Sequence, residues 1–398
     1  MVYRLANSLP EVTMGAPLQS ETRFFTSRDE MRLEDGSALP EVTLAYELYG
    51  SINENRDNVI LVFHALTGSQ HAAGRTEAVP GIGKRWTDEC RAGWWDGFVG
   101  PGKALDTDQF AVLCINYLGG CYGSTGPAST DPATGEPYGS AFPFISIADI
   151  VDSQMLLLDE LGVDKLHAVT GASVGALMCL SLATRFPDRV ELVIPIAGGL
   201  EVTALQFIHN FEQIIAIVND PNFDGGDYYA GPTPTRGLAL ARMIGHKTFV
   251  SLTAMEERAR AEVVHPHEAS EHVVIGHPIE SYLWHQGQKF VRRFDANSYL
   301  RLMEAWQNFD LLAPLEADSY SEALRACKDQ FFMVFSIDSD VCFYPEEQER
   351  MMQALKEAGV SAQRITVHSD KGHDSFLLEP RLFAPHLRHS LEQPWGSA

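Results

Sequence analysis

The stretch VTGASVG, residues 169–175, decides the fold of this chain of 398 residues. Residues 165–170 have the apolar, β-branched composition of a buried strand, and a helical pattern begins at Val174 and continues to about Arg185. The glycines on both sides of Ser173 leave room for a sharp, strained turn between strand and helix. The sequence therefore predicts a strand–turn–helix unit that exposes a serine hydroxyl at its turn.

Strands and helices alternate on both sides of this unit. Continuous apolar runs predict buried strands at residues 58–66, 110–115 and 190–197, as expected where both faces of a parallel sheet are covered. A helical period covers residues 147–161, and Gly162 gives it a C-terminal stop. This alternation predicts an α/β fold with a mostly parallel, doubly wound sheet.

The alternation stops in the middle of the chain. The first 45 residues suggest irregular or short-stranded structure, and helical patterns without a buried strand occupy the region from about residue 201 to 307. Those helical patterns cover residues 204–218, 236–244, 279–294 and 298–309. Strand patterns resume at residues 330–337 and 362–367. We expect a core in two parts, 1–200 and 308–398, with 201–307 inserted as a helical lid over the carboxyl ends of the strands; a separate helical domain is the alternative.

Composition limits the classes of function. A formal net charge of -23 argues against nucleic-acid partners and anionic membranes, and no run approaches the length needed to span a bilayer. Six scattered cysteines without a Cys-x-x-Cys pair fit free thiols in a reducing cytoplasm, where we expect the protein to be located. The cluster of His265, His267, Glu268 and His272 fits no zinc spacing, so we expect no metal site.

Candidate partners for the serine follow it in the sequence. A serine hydroxyl needs a base, and the base needs a carboxylate that fixes its tautomer. Asp338 and Asp340 both follow the strand that ends at Ile337, and His373 follows the last strand. The order Ser–Asp–His along the chain is that of α/β hydrolases. From position alone, Asp338 and Asp340 are equal candidates for the acid.

Two backbone N–H groups should stabilise the oxyanion that forms when the serine attacks a carbonyl. One is expected at Val174, directly after the nucleophile, and the other in the turn after the strand that ends near His64. We predict Leu66 as this second donor.

Several longer motifs add a more specific resemblance. They are HALTGS (64–69), GWWDGFVGPGKALDTD (93–108), LGGCYGSTGP (118–127), RGLALARMIGH (236–246), FDANSYL (294–300) and GHDSFLLE (372–379). Together they resemble the homoserine O-acetyltransferase family of α/β-hydrolase-fold acyltransferases. The resemblance covers most of the chain.

The resemblance implies further roles. Asp340 matches the family's catalytic aspartate, while Arg242 and Asp374 match the residues that hold the amino-acid substrate. An arginine suits an α-carboxylate and an aspartate suits an α-ammonium. The family also implies a homodimer formed through the lid helices, for which Phe207, Phe211 and Ile214 are candidates, although the same residues could belong to the core.

The activity implied is acetyl transfer from acetyl-CoA, a co-substrate, to homoserine in methionine biosynthesis, with no bound cofactor. There are four alternatives. The enzyme could use succinyl-CoA as the donor or serine as the acceptor, or the protein could be an esterase or a binding protein without catalytic activity. A succinyl group would need an additional cation, and Tyr122 stands where many relatives have a basic residue, which favours acetyl.

Overall fold

An eight-stranded sheet forms the centre of the molecule in the computed structural model, which describes residue 18 and residues 20–261 and 275–393. The described residues contain twelve strands: β1 (Arg23–Ser27), β2 (Met31–Arg32), β3 (Ala38–Leu39), β4 (Val42–Tyr49), β5 (Val59–Phe63), β6 (Val99–Gly100), β7 (Leu105–Asp106), β8 (Ala111–Ile115), β9 (Leu166–Ala172), β10 (Val190–Ile196), β11 (Phe331–Ile337) and β12 (Ser361–Val367).

Eleven α-helices accompany the strands in the same part of the chain. They are α1 (Ile147–Glu160), α2 (Val174–Arg185), α3 (Ala204–Val218), α4 (Thr235–Phe249), α5 (Leu252–Ala261), α6 (Pro278–Arg293), α7 (Ala296–Gln307), α8 (Tyr320–Leu324), α9 (Pro345–Ala358), α10 (Ser375–Leu378) and α11 (Pro380–Glu392). None of these helices combines the length and apolarity required to cross a membrane.

The sheet has the strand order β1-β4-β8-β5-β9-β10-β11-β12. β1 and β4 run antiparallel to their neighbours, and the six strands from β8 to β12 are parallel. Every residue of β5 and β8 is buried, because helices and loops cover both faces of the sheet at these central strands. The prediction of a mostly parallel α/β sheet is confirmed.

The described N-terminal region contains one long strand, β4, besides the short strands β1 to β3. β4 is eight residues long and joins the sheet between β1 and β8, with Tyr46 opposite Ile115. Its side chains do not alternate strictly between buried and half-buried positions, since Leu44 and Ala45 are both buried. Among the described residues up to 45, β1, β2 and β3 are short, as expected, and β4 begins at Val42 and continues beyond this range.

Helices α3 to α7 lie in the chain between β10 and β11, two strands that pair directly in the sheet. The chain thus leaves the sheet after β10 and re-enters it as β11, the strand next to β10. The inserted helices contact the loop before α10, where Ser251 N–H donates to the Lys371 carbonyl (3.1 Å) and Asp374 N–H to the Phe249 carbonyl (2.8 Å). The domain boundaries near residues 200 and 307 stay predictions.

All six cysteines are unpaired thiols. The predicted histidine-rich cluster, with His265, His267, Glu268 and His272, lies outside the described residues. Within the described part, no group of three or more histidine, cysteine or acidic residues is arranged to hold a metal ion.

Candidate active site

Ser173 lies in the tight turn between β9 and α2. Its backbone has φ 61° and ψ -125°, a conformation that costs energy for a residue with a side chain. The Ser173 N–H donates to the Ile196 carbonyl (3.0 Å), which ties the turn to β10. A Cβ at Gly175 would lie 2.6 Å from the Phe63 carbonyl oxygen, so the turn can pass β5 only without a side chain there.

His373 and Asp340 form a buried hydrogen-bonded pair at the ends of two neighbouring strands. Nδ1 of His373 donates to Oδ2 of Asp340 at 2.6 Å. The other carboxylate oxygen accepts from the N–H groups of Cys342 (2.7 Å) and Phe343 (2.9 Å), so the carboxylate is fixed on both sides. Nε2 of His373 is buried and has no hydrogen-bond partner among the described residues. It is therefore available to take a proton.

Asp338 lies on the exposed side of the same loop. Its carboxylate accepts from Nδ1 of His368 (2.8 Å) and from the Ser369 N–H (3.0 Å), and it makes no contact with His373. The two aspartates that were equal candidates by position therefore have different surroundings, and only Asp340 orients His373.

Aromatic rings and the carboxylate set the pKa of His373. Its ring stacks on Phe343 at 5.6 Å between centroids and meets the edge of Phe376 at 5.5 Å. Burial disfavours the charged imidazole, but the charge of Asp340 and its hydrogen bond outweigh burial and raise the pKa of His373 above 6.5.

The two predicted oxyanion donors are both free. The N–H groups of Leu66 and Val174 donate to no acceptor in the described part of the chain. Leu66 lies in a turn that is closed by a hydrogen bond from Gly68 N–H to the Ala65 carbonyl (2.8 Å), and Val174 is the first residue of α2. Free N–H groups at these two points are what an oxyanion hole requires.

A cavity of about 400 Å³ brings most of the predicted residues together. Five of the seven line it, and Asp340 stands directly behind His373, while Val174 is adjacent through Ser173. A volume of this order is within the range of sites for small molecules. Its lining includes Leu66, Ser173, Arg242, Arg293, His373 and Asp374.

Arg242 projects into this cavity from α4. Its guanidinium lies over the rings of Phe249 (5.5 Å) and Phe290 (5.1 Å) and has no hydrogen bond or ion pair with any described residue. Burial, together with the charge of nearby Arg293, lowers the pKa of Arg242. An arginine held by aromatic faces with its N–H groups unused can receive an anion.

Asp374 directly follows His373 and lines the same cavity. It occupies the N-cap position of α10, but its side chain makes no cap hydrogen bond. In the described residues, no other group forms a hydrogen bond or ion pair with this carboxylate. Burial raises the pKa of Asp374, which the charges of His373 and Arg242 oppose. The carboxylate can therefore receive a cation.

Arg293, at the end of α6, is a cavity residue that sequence reasoning missed. It donates to the Thr67 carbonyl (3.0 Å) and to the Tyr122 hydroxyl (3.1 Å), and it pairs with Glu89 at 3.7 Å. Tyr122, singled out because a tyrosine replaces a basic residue there, thus has a cation beside it. In the sequence, Tyr122 is 171 positions and Thr67 is 226 positions away from Arg293. No local motif therefore reveals these contacts.

Comparisons with known proteins show which family the chain belongs to. A model of the α/β-hydrolase fold family matches residues 58–380. The homoserine O-acetyltransferase of Solidesulfovibrio magneticus is 44% identical over 365 residues, which cover 90% of this chain and 89% of that protein.

Two solved structures extend the comparison. The crystal structure of homoserine O-acetyltransferase from Bacillus anthracis has a TM-score of 0.84 at 26% identity, and the match covers 95% of this chain and 99% of that one. The crystal structure of esterase E22 has a TM-score of 0.83 at 27% identity, with 94% and 100% covered. This chain therefore belongs to the homoserine O-acetyltransferase family of α/β-hydrolase-fold proteins.

Proposed function

We propose that this protein transfers an acetyl group from acetyl-CoA to the side-chain hydroxyl of L-homoserine, a step of methionine biosynthesis. The names of the relatives support the acceptor and the acetyl group. The observation that carries the proposal is one cavity that combines Ser173 and His373 with an unpaired guanidinium, Arg242, and an unpaired carboxylate, Asp374. A plain hydrolase has no need of two opposite charges beside its base.

The first half of the reaction acylates Ser173. As Nε2 of His373 takes the hydroxyl proton, Oγ attacks the thioester carbonyl carbon, and the resulting oxyanion accepts hydrogen bonds from the N–H groups of Leu66 and Val174. The carbon–sulfur bond then breaks. The CoA sulfur leaves with the proton from His373, and an acetyl ester remains on Ser173. Asp340 holds His373 in the required tautomer and stabilises the imidazolium.

The second half passes the acetyl group to the amino acid. The α-carboxylate of homoserine binds Arg242, and its α-ammonium binds Asp374. His373 takes the proton of the side-chain hydroxyl, whose oxygen attacks the acetyl carbon. The bond to Ser173 breaks, and His373 returns the proton to Oγ. O-Acetylhomoserine leaves, and the enzyme is restored without any bound cofactor.

The charges in the cavity favour acetyl over succinyl as the group transferred. Two arginines line the cavity, but Arg293 already binds Thr67, Tyr122 and Glu89. Among the described residues of the lining, Arg242 is then the single unpaired arginine, and the homoserine carboxylate requires it. A succinyl group would bring a second carboxylate, for which the described lining offers no further unpaired arginine.

An esterase is the second candidate, because esterase E22 has a similar structure. In that reaction, water instead of homoserine attacks the acetyl ester. The helices between β10 and β11 must therefore exclude water until the acceptor is bound, which is the role proposed for them as a lid.

A homodimer through the lid helices also belongs to this proposal. Phe207, Phe211, Ile215 and Val218 follow a helical spacing along α3, and all four are exposed. Ile214, the third residue expected at this face, is half-buried and packs against the core instead. An exposed apolar stripe of this kind fits a contact with a second copy of the chain.

A matrix of donors and acceptors tests the proposed function. Acetyl-CoA and succinyl-CoA are each supplied with homoserine, serine or water, and free thiol and acylated product are measured, with Ser173→Ala as the inactive control. We expect acetylation of homoserine to exceed every other combination. Equal thiol release with water alone would identify an esterase, and a preference for succinyl-CoA or serine would contradict the substrate assignment.

A further inference from the structure

One cation in the cavity has no role in the reaction described above. Arg293 is the last residue of α6, and its side chain is 13% exposed. Among the described residues, its polar partners belong to the sheet-bearing part of the molecule: Thr67 in the turn after β5, Tyr122 in the loop after β8, and Glu89. The side chain thus joins an inserted helix to the wall of the cavity.

The shortest of these contacts is with the turn that carries a predicted oxyanion donor. Nη1 of Arg293 donates to the Thr67 carbonyl (3.0 Å), and Nη2 lies 3.5 Å from the Thr67 hydroxyl. Thr67 directly follows Leu66, and both residues occupy the centre of the turn closed by Gly68 N–H and the Ala65 carbonyl. A guanidinium has a rigid, planar set of donors, so two of them on one residue restrain its rotation.

The guanidinium itself is held in place from several sides. It lies 5.2 Å from the centroid of the Phe290 ring, and the guanidinium of Arg242 lies 5.1 Å from the same centroid. Glu89 offers a carboxylate at 3.7 Å, and the Tyr122 hydroxyl accepts a hydrogen bond. A donor fixed in this way can hold the turn, whereas a mobile side chain could not.

We propose that Arg293 is a positioning residue that fixes the turn of residues 65–68, so that the Leu66 N–H points to the oxyanion only when α6 is docked. This inference rests on the proposed acyl-enzyme mechanism. Because the same oxyanion hole serves both halves of the reaction, loss of Arg293 should slow acylation and acetyl transfer alike. Recognition of homoserine, which involves Arg242 and Asp374, should be unaffected.

The test uses the full-length protein and Arg293→Met, with Arg292→Met as the matched control. Arg292 is the exposed neighbour on the same helix and makes no contact with the cavity. Acylation is followed as the burst of p-nitrophenol from p-nitrophenyl acetate and as the rate of Ser173 labelling by a fluorophosphonate. Since a displacement of about 1 Å can cost about 100-fold in rate, we expect Arg293→Met to slow the burst and kcat by roughly 10- to 100-fold. The KM for homoserine should stay within about 3-fold, and Arg292→Met should match the wild type within about 2-fold.

Other outcomes would overturn the proposal. An unchanged burst rate in Arg293→Met, or a rise in the KM for homoserine with the burst preserved, would mean that Arg293 does not act through the turn. If Arg293→Met does not fold, Arg293→Lys decides, because lysine keeps the charge and loses the planar pair of donors; an unchanged burst in that variant would equally reject the proposal. If wild-type Ser173 gives neither burst nor label, the acyl-enzyme mechanism fails instead.

Discussion

At the scale of single residues, Asp340 and Asp338 follow the same strand but have different partners. Asp340 holds the buried Nδ1 of His373, while Asp338 binds the exposed His368. We expect Asp340→Asn to lower kcat by about 10⁴-fold, since an amide stabilises the wrong tautomer and cannot balance the imidazolium. Asp338→Asn should change kcat by less than about 3-fold. Steady-state kinetics on the two variants checks this, and equal losses would refute the assignment of the acid.

The pH dependence of the reaction follows from the same pair. Asp340 raises the pKa of His373 above 6.5, despite burial, so the imidazole stays protonated to a higher pH than a free histidine. Only the neutral ring can accept the serine proton. We therefore expect kcat/KM to decrease as the pH falls, with a midpoint above 6.5, and to level off at higher pH. An acid limb with its midpoint well below 6.5 would contradict this prediction.

Arg242 should affect the acceptor alone. Its guanidinium is unpaired among the described residues. In the proposed mechanism it acts only in the second half of the reaction, after the thioester has been cleaved. Because a charged hydrogen bond to the α-carboxylate is lost, Arg242→Met should raise the KM for homoserine by roughly 10- to 100-fold. The burst of acylation measured without homoserine should keep its rate. A slower burst would place Arg242 in the first half of the reaction.

Residues differ in how far the sequence reveals them. Ser173 is apparent because its neighbours form a local motif, whereas the choice between Asp338 and Asp340 required either the family resemblance or the geometry. Arg293 could not be identified at all, because its partners are brought together only when α6 packs on the loops after β5 and β8. A sequence motif can therefore identify residues that act within one short segment. Contacts between segments that are distant in the sequence can be identified only from the folded structure.

At the scale of elements, the turn between β9 and α2 depends on close contact with β5. A Cβ at Gly175 would lie 2.6 Å from the Phe63 carbonyl oxygen, so Gly175→Ala must move the backbone of α2 or β5. We expect it to lower the free energy of unfolding by about 1–3 kcal/mol and to reduce kcat, since Ser173 moves as well.

Gly231→Ala is the control for this prediction. The nearest atom to its added Cβ is 3.9 Å away, and its φ of -130° is open to any residue. Its free energy of unfolding should be unchanged or slightly higher, because alanine restricts the unfolded chain. Urea unfolding of both variants gives the comparison, and equal stabilities would show that the contact with β5 can relax.

Elements were predicted best where their pattern was uniform. The fully apolar runs of β5 and β8 identified buried parallel strands, but β4, with two adjacent buried residues and an antiparallel partner on each side, did not show a clear period. The helical pattern of α4 was predicted to end at residue 244. The helix continues to Phe249, and Gly245 lies inside it, close to Gln213 and without a positive φ.

At the scale of the whole molecule, the apolar stripe on α3 should be the contact between two copies. Phe211 is 58% exposed there. Phe211→Lys would place a charge in the proposed interface, so we expect it to shift the protein from dimer to monomer in sedimentation velocity. The control is Phe24→Lys, a 41% exposed position on β1 outside the lid helices, which should keep the dimer. A wild-type monomer, or a dimer that survives Phe211→Lys, would exclude this interface.

The adjacency of His373 and Asp374 has a consequence for the length of the acceptor. Because the proton acceptor and the proposed ammonium-binding group belong to neighbouring residues in one loop, the backbone fixes the spacing of their Cα atoms. If the ammonium group of an amino acid binds Asp374, the length of its side chain determines how close its hydroxyl comes to His373. We expect the homoserine hydroxyl to reach the acetyl carbon of the proposed acyl-enzyme, and that of serine, one methylene shorter, to stop about one bond length before it. In this proposal the loop selects its substrate by the length of the acceptor.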